Sequence, residues 1–282
     1  MGQSSQYLFA EIEGLQVRYS ERGSGDSIIL LLHGFGGDLD NWMFNFGTLS
    51  EKNRLFALDL PGHGKSTKTI NDPSIRGMGK FVSKFLELHN LTSVNIVGHS
   101  MGGAIAIQML LDHPQTVKSL TLIGSAGLGT NINSDYLNGF VEYQTPQEMT
   151  RVLQQLFADK SLVSHQLVEE ILNYKRMDGV ETALKALSET LNSLGQKTIL
   201  SDNLVASGKP VLLIWGREDR IMPVSHAENF SAAAGTNVEI EIFESAGHMV
   251  HMEKAYEVNR CLLDFLIRPE QLIYFDNEGK RL

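Results

Sequence analysis

A single cysteine, Cys261, is all that the 282 residues contain, so no internal disulfide can form. Standing in the helical pattern Val258, Leu262, Phe265, it is expected to fill core space. Apolar runs are short as well: stretches such as Ile28 to Leu32 fall far below the ~20 residues of a membrane-spanning helix. Positive charge is scarce. Lys and Arg number 24 against 33 Asp and Glu, a formal net charge of −9, which argues against nucleic acid and membrane as partners, because both reward clustered cations. The expected substrate is a small molecule, a neutral or apolar acyl compound. Met1 to Ala10 lacks the basic segment of a secretion signal and meets Glu11 and Glu13 where an apolar stretch is required. Met1-Gly2 is followed at position 6 by Gln6 rather than the Ser or Thr that N-myristoylation wants. A cytoplasmic protein is expected. No metal-ligand spacing, dinucleotide fingerprint, repeat or low-complexity segment occurs, and His113, His165 and His226 are isolated. Neither a cofactor nor a metal is expected.

What is present is an alternation. Ile28 to Leu32, Leu55 to Leu58, Val94 to Val97, Leu120 to Ile123 and Val211 to Trp215 are short aliphatic runs separated by helical patterns, the mark of βαβ units around a parallel sheet. Most are apolar at every position, as strands covered by helices on both faces are. Val238 to Ile242 alternates instead, so one of its faces should meet solvent or lie near an edge. Gln16 to Glu21 is expected to begin the sheet in an antiparallel hairpin. Between about Leu128 and Ser207 strand signals vanish and three helical patterns take over. Thr145-Pro146-Gln147-Glu148 combines a capping box with Pro at the first helical position, ahead of an apolar stripe on Met149, Val152, Leu153, Leu156 and Phe157. Leu167, Val168, Ile171 and Leu172 form a second stripe. Asp178 and Glu181 repeat the capping-box spacing before Ala183, Leu184, Leu187 and Leu191. This gap, residues 128–207, reads as a helical cap inserted into a core formed by 1–127 and 208–282. The tail from Pro269 to Leu282 lies beyond the last helix the fold needs.

Chemistry concentrates where runs end. Gly98-His99-Ser100-Met101-Gly102 lies between a strand and a helix, a turn so sharp that only small residues fit two positions either side of the serine. Ser100 is therefore the expected nucleophile. Acyl transfer by serine also needs a base, a carboxylate to orient it, and donors for the oxyanion. Asp219 stands in the loop after Val211 to Trp215, at the sheet edge where α/β folds bind ligands; Glu218 and Asp202 compete, and the G-x-x-D-x-x-x-P context favours Asp219. His248, preceded by Gly247 in the loop after the next strand, is favoured over His251. The order Ser, Asp, His matches one known triad order. The backbone N–H groups of Phe35, in His33-Gly34-Phe35-Gly36-Gly37, and of Met101 are the expected oxyanion donors. His33 is expected to brace its loop, and His99 to point the other way along the strand. The turn Asp59 to Ser66 lacks P-loop spacing and is assigned to the scaffold.

The strings LLHGFGGDLDNW, ALDLPGHGKS, VGHSMGG, IWGREDRIMP and SAGHMVHMEKAYEVN together resemble the α/β-hydrolase superfamily from about Val17 to Ile267. Within it the chain is most similar to the hydrolase-like domain of the dihydrolipoamide acetyltransferase component of bacterial acetoin dehydrogenase, and YKRMDGVETALKAL adds to that. Those acetyltransferases carry a lipoyl domain, for which this chain is expected to have no room. Similar capped sequences include carbon-carbon bond hydrolases of aromatic degradation, esterases, lactonases and haloperoxidases. Haloalkane dehalogenases and epoxide hydrolases use Asp where this chain has Ser100. The resemblance implies an α/β-hydrolase fold, a mostly parallel sheet with helices on both faces and a helical cap. The leading expectation is a carboxylic ester hydrolase working through an acyl-enzyme on Ser100. Transfer to a thiol (dihydrolipoamide or coenzyme A), carbon-carbon cleavage and a non-catalytic binding module are the alternatives.

Overall fold

A computed structural model describes residues 7–197, 200–234 and 237–267. The expectations on Met1 to Gln6, on the tail Pro269 to Leu282 and on the side chain of Asp202 lie outside what it describes.

The chain opens with β1 (Tyr7–Ile12) and β2 (Leu15–Arg22), joined by Glu13 and Gly14 at φ 50° and 79°. Two consecutive left-handed residues match the twist of the paired strands, which is why such turns close hairpins. The hairpin begins one strand earlier than Gln16. Next come β3 (Ser27–Leu32), α1 (Met43–Ser50), β4 (Asn53–Leu58), α2 (Ile75–Leu88), β5 (Val94–His99), α3 (Met101–Asp112) and β6 (Val117–Ile123). Five helices follow: α4 (Ser134–Glu142), α5 (Pro146–Leu153), α6 (His165–Lys175), α7 (Val180–Lys197) and α8 (Ser201–Ala206). β7 (Val211–Gly216), α9 (Ser225–Ala234), β8 (Val238–Phe243), α10 (Val250–Glu253) and α11 (Ala255–Ile267) complete the described chain.

All eight strands form one sheet in the order β1-β2-β4-β3-β5-β6-β7-β8. β1 pairs antiparallel with β2, and β2 antiparallel with β4; every other pairing is parallel. Alternate residues of β3 divide the core. Leu30 and Leu32 join the large apolar cluster with Phe81 and Phe85 of α2 and Ile105 and Met109 of α3. Ile29 and Leu31 face the opposite layer, with Phe46 of α1 and Leu262 and Phe265 of α11. Helices thus cover both faces, and the strands between them are buried at nearly every position. β8 is the terminal strand and is only half-buried, as its alternation implies. Cys261 is partly buried against the α11 layer, where burial pushes its thiol pKa up.

Between β6 and β7 there is no strand among the described residues, but five α-helices and a short 3-10 turn, Lys160–Leu162, stand where the sequence shows three stripes. The capping box forms: Thr145 Oγ1 accepts from the Glu148 N–H at 3.3 Å, and the Glu148 carboxylate accepts from the Thr145 N–H. The stripe behind it is shorter than expected, since α5 ends at Leu153 and Leu156 lies in the turn beyond. The second box does not form the start of α7. That helix begins at Val180, and the Gly179 carbonyl accepts the first bond, from the Ala183 N–H, leaving Asp178 one residue too early. α4 to α7 pack on one another, whereas α8 packs on α3. No helix among the described residues is long and apolar enough to cross a membrane.

Candidate active site

Four loops at the carboxyl edge of the parallel strands supply the site, after β3, β5, β7 and β8. Ser100 follows β5 directly, with φ 54° and ψ −117°. A non-glycine residue in that conformation is strained. The strain is held by hydrogen bonds: the Ser100 N–H donates to Ile123 O at 2.9 Å and the Ser100 carbonyl accepts from the Ala126 N–H at 3.1 Å. Room for the turn comes from the flanking glycines. A Cβ on Gly98 would lie 2.4 Å from Gly102 O, and one on Gly102 would lie 2.3 Å from Leu32 O.

Asp219 and His248 meet. His248 Nδ1–H donates to Asp219 Oδ2 at 2.8 Å, and both side chains are buried. The other carboxylate oxygen, Oδ1, accepts from the Ile221 and Met222 N–H groups at 2.8 and 2.9 Å, which fixes the carboxylate from both sides. Glu218 is occupied elsewhere, accepting from the Ala246 N–H at 3.0 Å. His251 is buried with neither ring nitrogen partnered, and burial pulls its pKa down to about 3. Among the described residues the Ser100 hydroxyl has no hydrogen bond to His248. The two residues instead share the wall of one cavity of about 90 Å³.

Phe35 also lines that cavity, and Met101 begins α3. Neither backbone N–H takes part in a loop or turn backbone hydrogen bond among the described residues. His33 braces the first of these loops. Its Nε2 accepts from the Leu60 N–H at 3.0 Å, so the proton resides on Nδ1, which donates to Gly34 O at 2.8 Å. Burial lowers its pKa, favouring this neutral form. The turn after β4 is scaffold: Asp59 accepts from Arg18 Nε at 2.6 Å, the Leu39 N–H at 2.9 Å and the Lys65 N–H at 2.7 Å.

His99 keeps the strand alternation, on the face of Val97 and Trp42, yet it still meets the His248 loop. Its ring lies 4.6 Å from those of both His248 and His251, and Nε2–H donates to the His248 carbonyl at 3.0 Å. Sequence reasoning also missed Glu253. Its carboxylate accepts from the Gly247 N–H at 2.6 Å and the Ala158 N–H at 2.8 Å, tying the His248 loop to the segment after α5. Its only sequence signal is an acid five residues after His248, inside the string that carries the resemblance. Much of the remaining cavity wall comes from the segment between β6 and β7, with Tyr136, Phe140, Leu153 and Leu191 among its apolar side chains. No group of three or more His, Cys, Asp or Glu among the described residues could hold a metal ion.

Comparison with known proteins agrees with this architecture. The family described as alpha/beta hydrolase fold matches residues 27–255. The dihydrolipoyllysine-residue acetyltransferase component of the acetoin cleaving system of Cupriavidus necator is 43% identical over 257 residues, covering 91% of this chain and 68% of that protein. Monoacylglycerol lipase ABHD6 of Mus musculus is 29% identical over 279 residues, covering 93% of this chain and 82% of the lipase. Among solved structures, a serine hydrolase of Cycloclasticus zankles superposes with a TM-score of 0.84 at 21% identity, covering 94% of this chain and 99% of that one.

Proposed function

Because this chain belongs to the α/β-hydrolase fold family, we propose that it cleaves a small carboxylic ester through an acyl-enzyme on Ser100, with His248 as general base and Asp219 orienting it. The observation that carries the reading is the 2.8 Å contact between Asp219 and His248 Nδ1, beside a strained serine on the wall of the same cavity. With Nδ1–H committed to the carboxylate, Nε2 holds the lone pair that can take the Ser100 proton. Oγ attacks the ester carbon while that proton moves to Nε2, and the carbonyl oxygen becomes an oxyanion facing the N–H groups of Phe35 and Met101. Each such donor is worth about 100- to 1000-fold in rate. The tetrahedral adduct collapses, the bond to the leaving oxygen breaks, and the imidazolium protonates that oxygen. Water then repeats the sequence on the acyl-enzyme and frees the acid and Ser100. Helices α4 to α7 act as the cap that shields these steps from bulk water.

A short-chain p-nitrophenyl ester tests this. Wild type should release nitrophenol with a burst, and Ser100→Ala should be slower by about 10⁶-fold. Met101→Leu, which keeps the backbone donor, should retain most activity. Equal rates in wild type and Ser100→Ala would remove the assignment. A second reading is favoured by the 43% identity to an acetyltransferase component: the acyl group passes to a thiol instead of water. The first half-reaction is the same, so adding a thiol acceptor and measuring thioester against free acid separates the two.

A further inference from the structure

A second and larger space adjoins the cavity. It measures about 780 Å³ and shares Gly37, Asn41, Ile171 and Met252 with the cavity that holds Ser100. It contains neither Ser100 nor His248; it runs outward between the Gly36–Met43 segment and α6, past Tyr174 to Met43 and Met177. Met43 and Met177 are about half exposed, at 54% and 48%. The two spaces differ in a way that matters for an acyl-enzyme. The acyl group stays bonded to the serine between the two half-reactions and suits the smaller space beside it. The leaving group must depart and the acceptor must arrive within that interval, which suits the wider one.

Charge adds a second observation. Asp38, Asp40 and Glu170 line the groove against a lone Lys65. Arg18 lies beneath Asp38 and Asp40, at 3.7 and 3.1 Å, but is already matched by Asp59. The carboxyl of Asp38 is pushed up to about 6, by burial first and then by the neighbouring Asp59 and Asp40 carboxylates, against the opposing pull of Arg18.

We propose that this groove is the channel for the leaving group and the incoming acceptor, and that its carboxylates make it select uncharged or cationic arms over anionic ones. The inference rests on the acyl-enzyme reading. A polyanionic acceptor such as coenzyme A is disfavoured by the same field.

The test uses three acetates whose alcohol portions match in shape: a cationic trimethylammonioethyl, a neutral 3,3-dimethylbutyl and an anionic sulfoethyl ester. The kcat/KM for cation over anion should be about tenfold at low salt and shrink toward one in about 1 M NaCl. In Glu170→Lys, an exposed change of two charge units, the ratio should fall about fivefold. Met177→Trp narrows the outer groove. It should lower the preference for a long-alcohol acetate relative to a long-acyl methyl ester, and the opposite shift would put the acyl chain in the groove and overturn the assignment. If the neutral acetate is turned over and the cation-to-anion ratio is one, the channel alone fails. If none of the three esters is cleaved, the acyl-enzyme reading fails and takes the channel with it.

Discussion

His251, whose ring lies 4.6 Å from that of His99 and 4.6 Å from that of Trp42, carries two buried nitrogens with no partner. Burial holds its pKa near 3, against 6.5 for an exposed imidazole. The unfolded chain therefore binds a proton between those values that the folded chain refuses. Stability from this residue is complete above pH 6.5 and is lost as pH falls through 6.5 toward 3. His251→Phe keeps a ring in the stack and removes the titration, so its acid-unfolding midpoint by circular dichroism should move to lower pH. An unmoved or higher midpoint would show that the acid sensitivity resides in other groups. At this scale the sequence was informative wherever local sterics decide. Glycines two positions either side of Ser100 announce a turn that tolerates no Cβ, and the coordinates give the clash. The contact of His99 with His248 was not legible, because it joins β5 to a loop 149 positions further along the chain.

Helix α4 joins the apolar wall of the cavity to the Asp219 loop. Asn133 caps it, Oδ1 accepting from the Tyr136 N–H at 2.9 Å, while Nδ2 donates to Arg220 O at 2.8 Å and Gln155 Oε1 at 3.0 Å. Its own N–H donates to Ile221 O at 3.0 Å, beside the Asp219 loop. Asn133→Ala should cost about 1 kcal/mol through the lost cap and also raise KM. Asn133→Ser keeps a capping oxygen but not the amide donors, so it should raise KM with little loss of stability. Steady-state kinetics beside urea unfolding separates the two effects, and a KM unchanged in both variants would mean that the tie does not shape the cavity. α4 escaped the sequence pattern because Asn138 and Gly139, both poor helix formers, lie in its middle. α8, with six residues, is too short to display a period. The long stripes of α5, α6 and α7 were visible because repeated burial at helical spacing leaves a mark that no loop imitates.

Across the whole molecule, Arg18 and Asp59 fasten the antiparallel edge of the sheet to the turn after β4 and to the segment that leads into α1. Both side chains are buried, and Asp40 and Asp38 complete the arrangement. Arg18→Met leaves the Asp59 carboxylate buried without its counter-charge, which should cost about 3–5 kcal/mol. Urea unfolding measures it. A loss below about 1 kcal/mol would mean that the Leu39 and Lys65 N–H donors hold the carboxylate unaided. The same arrangement fixes the floor of the acidic groove, so its consequence extends to the channel. Nothing in the sequence marked Arg18, since its partners are 20 to 41 positions away and no local pattern links them.

The sequence alone determined the class of fold, seven of the eight strands of the sheet and the loops that carry Ser100, Asp219 and His248. Those features follow from periodic burial and backbone sterics, which act over a few neighbouring residues. Only the tertiary structure decided that Asp219, which the sequence favours over Glu218, reaches the His248 ring, that His99 packs against that ring, and that an acidic groove continues from the cavity. Each of these is a contact between segments distant along the chain, and its geometry exists only once the sheet has brought their ends to a common edge.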